Sequence, residues 1–230
     1  VVMLASCLWG RPASAKDLRY WESQCEDPRF TCREIQEGET WKGLWPDDKQ
    51  RDLVMRLNRM NVRLRPGMVV AVPNRIDALT RADISPFPNK IPPPGEKQIQ
   101  VDLTQLAWGA YDAEGNLLEW GPASGGKDWC PDTGHACKTP SGDFSVVRKS
   151  GAHCKSNKFP IPRGGAPMPY CMFFLSDYAV HGSYEVPGYR ASHGCVRIYP
   201  EDAQWLNENF VDLPDSSQGV HGTSVIVQPY

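Results

Sequence analysis

Apolar and polar residues alternate most clearly in "QIQVDLTQ", where Ile99, Val101 and Leu103 share one face. That two-residue period is the mark of a half-buried strand. "LAWGAYDAEGNLLEW" reads as two strands about a turn at Asp112–Asn116, and "GDFSVVRK", "CMFFLSDYAV" and "TSVIVQPY" supply further strands. The period changes in "PEDAQWLNENF": Pro200 opens a helix, Glu201 and Asp202 fill its first turn, and Ala203, Leu206 and Phe210 fall on one face. Nearer the N-terminus, "TCREIQEGETW" starts as a short strand and turns at Gly38-Glu39-Thr40. Pro46, Asp47 and Asp48 then start a helix that carries Leu53, Val54, Leu57 and Met60 at helical spacing. "RPGMVVAVP" closes that unit as a strand stopped by Pro73.

This pattern predicts a mainly β, sandwich-like domain over 98–230, with a small α+β unit over 16–75 before it. Between them, 76–97 is proline-rich, and Pro92-Pro93-Pro94 favours an extended interdomain spacer. The alternative is that this segment packs on the domain that follows. The 230 residues suffice for one substantial core and a small companion. With 21 prolines and 20 glycines the chain is turn-rich rather than a helical bundle. A net charge of −2 and no basic stripe exclude a nucleic-acid binder.

The opening "VVMLASCLWG" is apolar but too short to span a bilayer, and Ala13-Ser14-Ala15 gives a small-x-small cleavage pattern. Residues 1–15 are therefore expected to be a signal peptide. The alternative reading of "LASC" is a lipoprotein box with Cys7 lipidated. Both imply an exported protein of the periplasm or cell envelope.

Setting Cys7 aside leaves an odd number of cysteines for an oxidising compartment. Proximity in sequence pairs Cys25 with Cys32 and Cys130 with Cys137. Cys154 and Cys171 form the natural remaining pair, which leaves Cys195 as a free thiol. A zinc cluster of Cys130, His135, Cys137, His153 and Cys154 is the rival, but its spacing fits no familiar finger. No metal or cofactor is expected.

Chemistry concentrates in "VHGSYEVPGYRASHGCVRI". A cysteine attacks as thiolate and needs a base nearby, which His181 can supply if the intervening loop folds back at Gly182, Pro187 and Gly188. On an extended segment His193, Cys195 and Arg197 would share a face. Gly194 would let backbone approach a substrate carbonyl, with amides around Gly194 and Cys195 as oxyanion donors worth ~3–4 kcal/mol. Arg197 offers a planar fork to a substrate carboxylate, or else a structural partner for Asp202. His193 is equally suited to proton transfer or to a supporting hydrogen bond, and Ser192 to a turn.

"HG…SHGCVR" resembles the active-site signature of the L,D-transpeptidase catalytic domain, whose members cross-link bacterial cell walls. The resemblance extends over "IQVDLTQLAWGAYDAEGNLLEW", "TPSGDFSV" and "GTSVIV". It implies Cys195 as the acylated nucleophile and His181 as its base, with Gly182 supporting that histidine through its carbonyl. It also implies an oxyanion site framed by His193, Gly194 and Cys195. Ten residues separate His181 from Ser192, a short loop over the cleft, so the cysteine-bearing insertions "DWCPDTGHACK" and "CKSNKFPIPRGGAPMPYC" are candidates for a different lid. The implied substrates are peptidoglycan stem peptides, with a second stem or a wall-anchored lipoprotein as acceptor and carbapenems as covalent inhibitors. The 16–75 unit resembles a LysM module through "EGETW", "LNRMN" and "LRPGMVVAVP", which implies glycan docking. An L,D-carboxypeptidase or endopeptidase using the same cysteine, and a non-catalytic wall-binding protein, are the alternatives. A papain-like hydrolase is disfavoured because there the cysteine precedes the histidine along the chain.

Overall fold

The computed structural model describes residues 20–217, 219 and 221–230, so the expected signal peptide, and Cys7 with it, lie outside the described residues. No helix among the described residues is long and apolar enough to cross a membrane.

The N-terminal unit runs α1 (Tyr20–Gln24), β1 (Phe30–Glu34), α2 (Trp41–Leu44), α3 (Asp48–Leu57) and β2 (Val69–Pro73). Helices α2 and α3 both start on side-chain caps: the Thr40 hydroxyl accepts from Gly43 N, and the Asp47 carboxylate accepts from Lys49 N and Gln50 N. Strands β1 and β2 pair antiparallel, Cys32 opposite Ala71. Asn58 ends α3 buried, its amide donating to Val54 O and Ala71 O and accepting from Ala71 N, which ties the helix to β2. A Cys25–Cys32 disulfide fastens α1 to β1.

Residues 76–97 do not form a free spacer. They make two short 3-10 turns, Ile76–Ala78 and Ala82–Ile84. Ile84 and Phe87 sink into a core shared by Leu53 and Leu57 of α3 with Tyr111 and Trp120 of the following domain. Trp120 Nε1 donates to Arg81 O at 3.0 Å, and the Tyr111 hydroxyl to Pro88 O at 2.9 Å. The apolar residues set between the prolines provide enough buried surface to hold the segment down, which outweighs the extended preference of the prolines themselves.

Nine strands form the larger sheet: β3 (Gln98–Asp102), β4 (Ala107–Tyr111), β5 (Leu117–Ser124), β6 (Gly142–Ser145), β7 (Arg148–Lys149), β8 (Met172–Leu175), β9 (Tyr178–Gly182), β10 (Val196–Ile198) and β11 (Ser224–Val227). Their order is β6-β11-β3-β4-β5-β10-β9-β8-β7. The expected sandwich is thus one sheet curled on itself. Phe144 of β6 and Phe174 of β8 bring their ring centroids to 5.3 Å, although six strands stand between them. "CMFFLSDYAV" is a hairpin rather than one strand, reversing at Ser176, whose φ of 44° lies in the left-handed region. Helix α4 (Pro200–Trp205) runs on into a wider turn, Leu206–Phe210, and lays Ala203, Leu206 and Phe210 on the core.

Candidate active site

The site is built on a parallel pair, β9 and β10, in which Val196 stands opposite Val180 and Arg197 opposite His181. Alternation sends Val180, Val196 and Ile198 into the main core. It leaves His181 and Arg197 on the other face, where Cys195 and Ala179 pack together. Parallel pairing thus sets on one sheet face a histidine and a cysteine that the loop separates in sequence.

Cys195 is the free cysteine among the described residues; Cys25–Cys32, Cys130–Cys137 and Cys154–Cys171 are all bridged. Its Sγ lies 3.6 Å from Asp177 O. Burial pushes the thiol pKa up, against the pull of the Ala179 backbone N–H and of Arg197. His181 is buried, and its Nδ1 lies 2.9 Å from Gly182 O. A carbonyl only accepts, so Nδ1 carries the proton and Nε2 presents its lone pair. Burial, helped by the Arg197 charge, lowers the imidazole pKa to about 4, with the Gly182 hydrogen bond opposing. Near neutral pH the resting pair is therefore uncharged thiol and uncharged imidazole, rather than a preformed ion pair. Such a pair can do nucleophilic chemistry when proton transfer accompanies attack.

His193 and Gly194 lie before β10, where the alternation expected to align His193 with Cys195 and Arg197 is interrupted. Gly194 has φ +122°, which breaks the alternation, and a Cβ there would stand 2.6 Å from the Tyr178 ring. His193 instead donates from Nε2 to Asp132, at 2.8 Å to the nearer oxygen, and packs on Phe159 with centroids 4.4 Å apart. Asp132 belongs to the loop closed by Cys130–Cys137 and Phe159 to the loop closed by Cys154–Cys171. The two insertions meet over His193.

The Gly194 amide is not a free oxyanion donor, because it donates to Ser192 Oγ at 3.0 Å. Ser192 Oγ in turn donates to Cys195 O at 2.5 Å, so the buried hydroxyl holds the turn before the thiol. Thr139, the first residue of "TPSGDFSV" and assigned no role from the sequence, is buried and donates from Oγ1 to Gly194 O at 2.8 Å while accepting from Gly126 N. Arg197 Nη1 lies 3.3 Å from Glu185 O and 3.5 Å from Glu185 Oε2. Asp202, the expected alternative partner, pairs with Arg56.

The zinc alternative fails on its donors: Cys130, Cys137 and Cys154 are all in disulfides. Cys130 Sγ does lie within 4.8 Å of donor atoms on Asp132 and His193, but as a bridged sulfur it offers no thiolate.

A family model described as the L,D-transpeptidase catalytic domain (YkuD) matches residues 96–227. Among solved structures, an L,D-transpeptidase from Xylanimonas cellulosilytica is 24% identical with a TM-score of 0.57, covering 85% of this chain and 98% of that one. An L,D-transpeptidase from Stackebrandtia nassauensis is 22% identical (TM-score 0.47; 63% of this chain and 61% of that one). One from Mycobacterium smegmatis is 23% identical (TM-score 0.45; 58% and 59%). No curated protein matches the chain. The first of these structures shows the shared fold, and the family match spans more than half the residues: the chain belongs to the L,D-transpeptidase catalytic domain family.

Proposed function

We propose that the chain transfers a peptidoglycan acyl group through a thioester on Cys195. His181 Nε2 takes the thiol proton as Sγ bonds to the carbonyl carbon of the third stem residue, a diamino acid. The tetrahedral oxyanion then collapses. His181 returns its proton to the departing amine, and the terminal D-alanine leaves. A side-chain amine of a second stem gives His181 a proton, attacks the thioester and releases the thiol, forming a 3→3 cross-link. With Gly194 N–H spent on Ser192, the Cys195 amide is the better oxyanion candidate.

The observation that carries this reading is the hydrogen bond of His181 Nδ1 to Gly182 O, which leaves Nε2 as the acceptor, on the sheet face that also holds the unbridged Cys195. Incubation with a tetrapeptide stem and an amine acceptor tests it. Cross-linked dimer is the expected product. Tripeptide alone would make the protein an L,D-carboxypeptidase, and no turnover with no thioester would leave it a non-catalytic wall protein. A lipoprotein lysine as acceptor is an additional arm of the same assay.

For the N-terminal unit we propose glycan docking of the LysM kind. The strand–helix–helix–strand order of β1, α2, α3 and β2 supports it. So does a cavity of about 350 Å³ beside β1, α2 and β2, lined by Trp45, Arg33 and Asn74 among others. Retention on purified wall sacculi by the parent but not by Trp45→Ala would be the expected result. The paired cysteines fit work outside the cytoplasm, as export to the envelope requires.

A further inference from the structure

The loop from Ser183 to Gly188, which joins the strand of His181 to the turn of Cys195, is held from outside its own domain. Asn61, just beyond α3 in the N-terminal unit, accepts from Val186 N at its side-chain oxygen (2.9 Å). Its side-chain amide donates to Ser183 O at 2.8 Å, and its backbone N–H to Val186 O at 2.9 Å. Met60 makes an antiparallel bridge with Pro187. Met60 is fixed in turn by the Tyr199 hydroxyl, which donates to Met60 O at 2.7 Å. Val186 is fully buried, and Gly188, at φ +81°, comes so close that a Cβ would stand 3.1 Å from Asn58 O. On the other side Ser183 N donates to Ile198 O, so the loop is also pinned to β10.

Only the crest between these two pins projects: Tyr184 is 77% exposed, and Glu185 beside it is exposed too. Glu185 N donates to Ser183 Oγ, which sets the direction of the crest. Glu185 then offers Arg197 Nη1 both its carbonyl and its carboxylate. Arg197 lies across from His181 on the face that carries Cys195. A residue of the N-terminal unit is thus linked, through one hydrogen-bonded loop, to the cationic fork on the face of the thiol.

We infer that Asn61 is a positioning residue for this site: by fastening the Ser183–Val186 crest it places Glu185 against Arg197 and so sets how an anionic acyl donor is held beside Cys195. This rests on the acyl-transfer reading above. The N-terminal unit then shapes the substrate cleft directly, whatever it docks on. Asn61 acts through the loop and touches none of the reacting atoms.

The test is Asn61→Ala in the full chain, assayed three ways. Stem transfer gives KM and kcat. Alkylation of Cys195 by iodoacetamide, which is neutral and small, reports the thiol independently of Arg197. Thermal melting reports the fold. The expected result is a KM for the tetrapeptide stem raised about fivefold, the scale of one lost hydrogen bond, with kcat and the alkylation rate within about twofold of the parent. In an Arg197→Ala background the same substitution should add nothing, because its effect runs through that guanidinium. An unchanged KM overturns the inference. So does a fall in KM performance, alkylation and melting temperature together, which would make Asn61 merely structural, and so does an effect that persists without Arg197. A parent protein that transfers no stem overturns the proposed function and this inference with it, whereas a parent that transfers isolates the inference.

Discussion

Arg56 of α3 donates to both carboxylate oxygens of Asp202 in the first turn of α4, at 3.0 and 2.6 Å, where both residues are buried. The same guanidinium donates to Trp120 O and, through Nε, to Asp52. The two halves of the chain are thus joined by a fully hydrogen-bonded charge pair beside a shared apolar core. Removing Asp202 leaves the buried Arg56 with Asp52 alone to balance it, a loss at or below the roughly 3–5 kcal/mol typical of a broken buried pair. Asp202→Ala should therefore lower the urea midpoint strongly at unchanged slope. The double change Arg56→Met with Asp202→Leu should regain much of the loss, since no stranded charge remains. A single variant within about 0.5 kcal/mol of the parent would mean the pair is not buried as described.

The same interface predicts the outcome of truncation. A chain starting at residue 97 keeps nearly all of the family-matched region but exposes Ala107, Tyr111 and Trp120, which now pack on Leu53, Leu57, Ile84 and Phe87. Aggregated or partly folded protein is expected, read by light scattering and by the dispersion of amide NMR signals. A monodisperse, fully active fragment would refute the structural dependence.

Acid should silence the site only at unusually low pH. His181 is a base only when uncharged, and burial lowers its pKa from 6.5 to about 4. Carbapenem acylation of Cys195 should thus stay level through weakly acidic pH and fall as pH drops toward about 4. An acid limb near 6.5 would contradict the buried imidazole. His181→Gln should lower the acylation rate about 10²–10⁴-fold, the usual worth of a positioned acid–base group. Linkage has the matching sign. A folded pKa below the unfolded one means the unfolded chain binds more protons in this window. The stability contribution is complete above 6.5 and lost as pH falls toward about 4.

His193 should behave differently. Its Nε2 is held by Asp132 and its ring packs on Phe159, so the imidazole ties two loops together. His193→Ala and Asp132→Ala should each slow carbapenem acylation by about tenfold or less, well short of His181→Gln. Matching losses at His193 and His181 would return proton transfer to His193.

At Gly194 the prediction is steric. With φ at +122° and the Tyr178 ring where a Cβ would go, Gly194→Ala should cost about 1–3 kcal/mol of stability and displace the thiol. Calorimetry and the rate of iodoacetamide labelling would register both effects. A variant as stable and as reactive as the parent would show that the turn tolerates a side chain.

What the sequence made legible was local. Ile99, Val101 and Leu103 face inward as their alternation requires, α4 follows its proline and acids, and nearest-neighbour pairing of cysteines leaves Cys195 unbridged. Periodicity reports which face of an element is dry, so these features needed no knowledge of distant partners. The misread features all depend on long-range or single-residue geometry. One left-handed glycine turned His193 off the line that strand alternation drew for it. Thr139 supports a carbonyl at Gly194 through a contact that no local pattern encodes. The segment around Ile84 and Phe87 looked like a spacer because prolines dominate its composition, while its few apolar side chains decide where it lies.

The bridges Cys25–Cys32, Cys130–Cys137 and Cys154–Cys171 never interleave, and Cys195 comes last. A nascent chain oxidised as it emerges would close each loop before the next pair arrives, and short loops close at the least entropic cost. The described partners would then be consumed before the nucleophile is exposed. In a chain oxidised that way, cysteine order alone would keep the reactive sulfur from mispairing with the described cysteines.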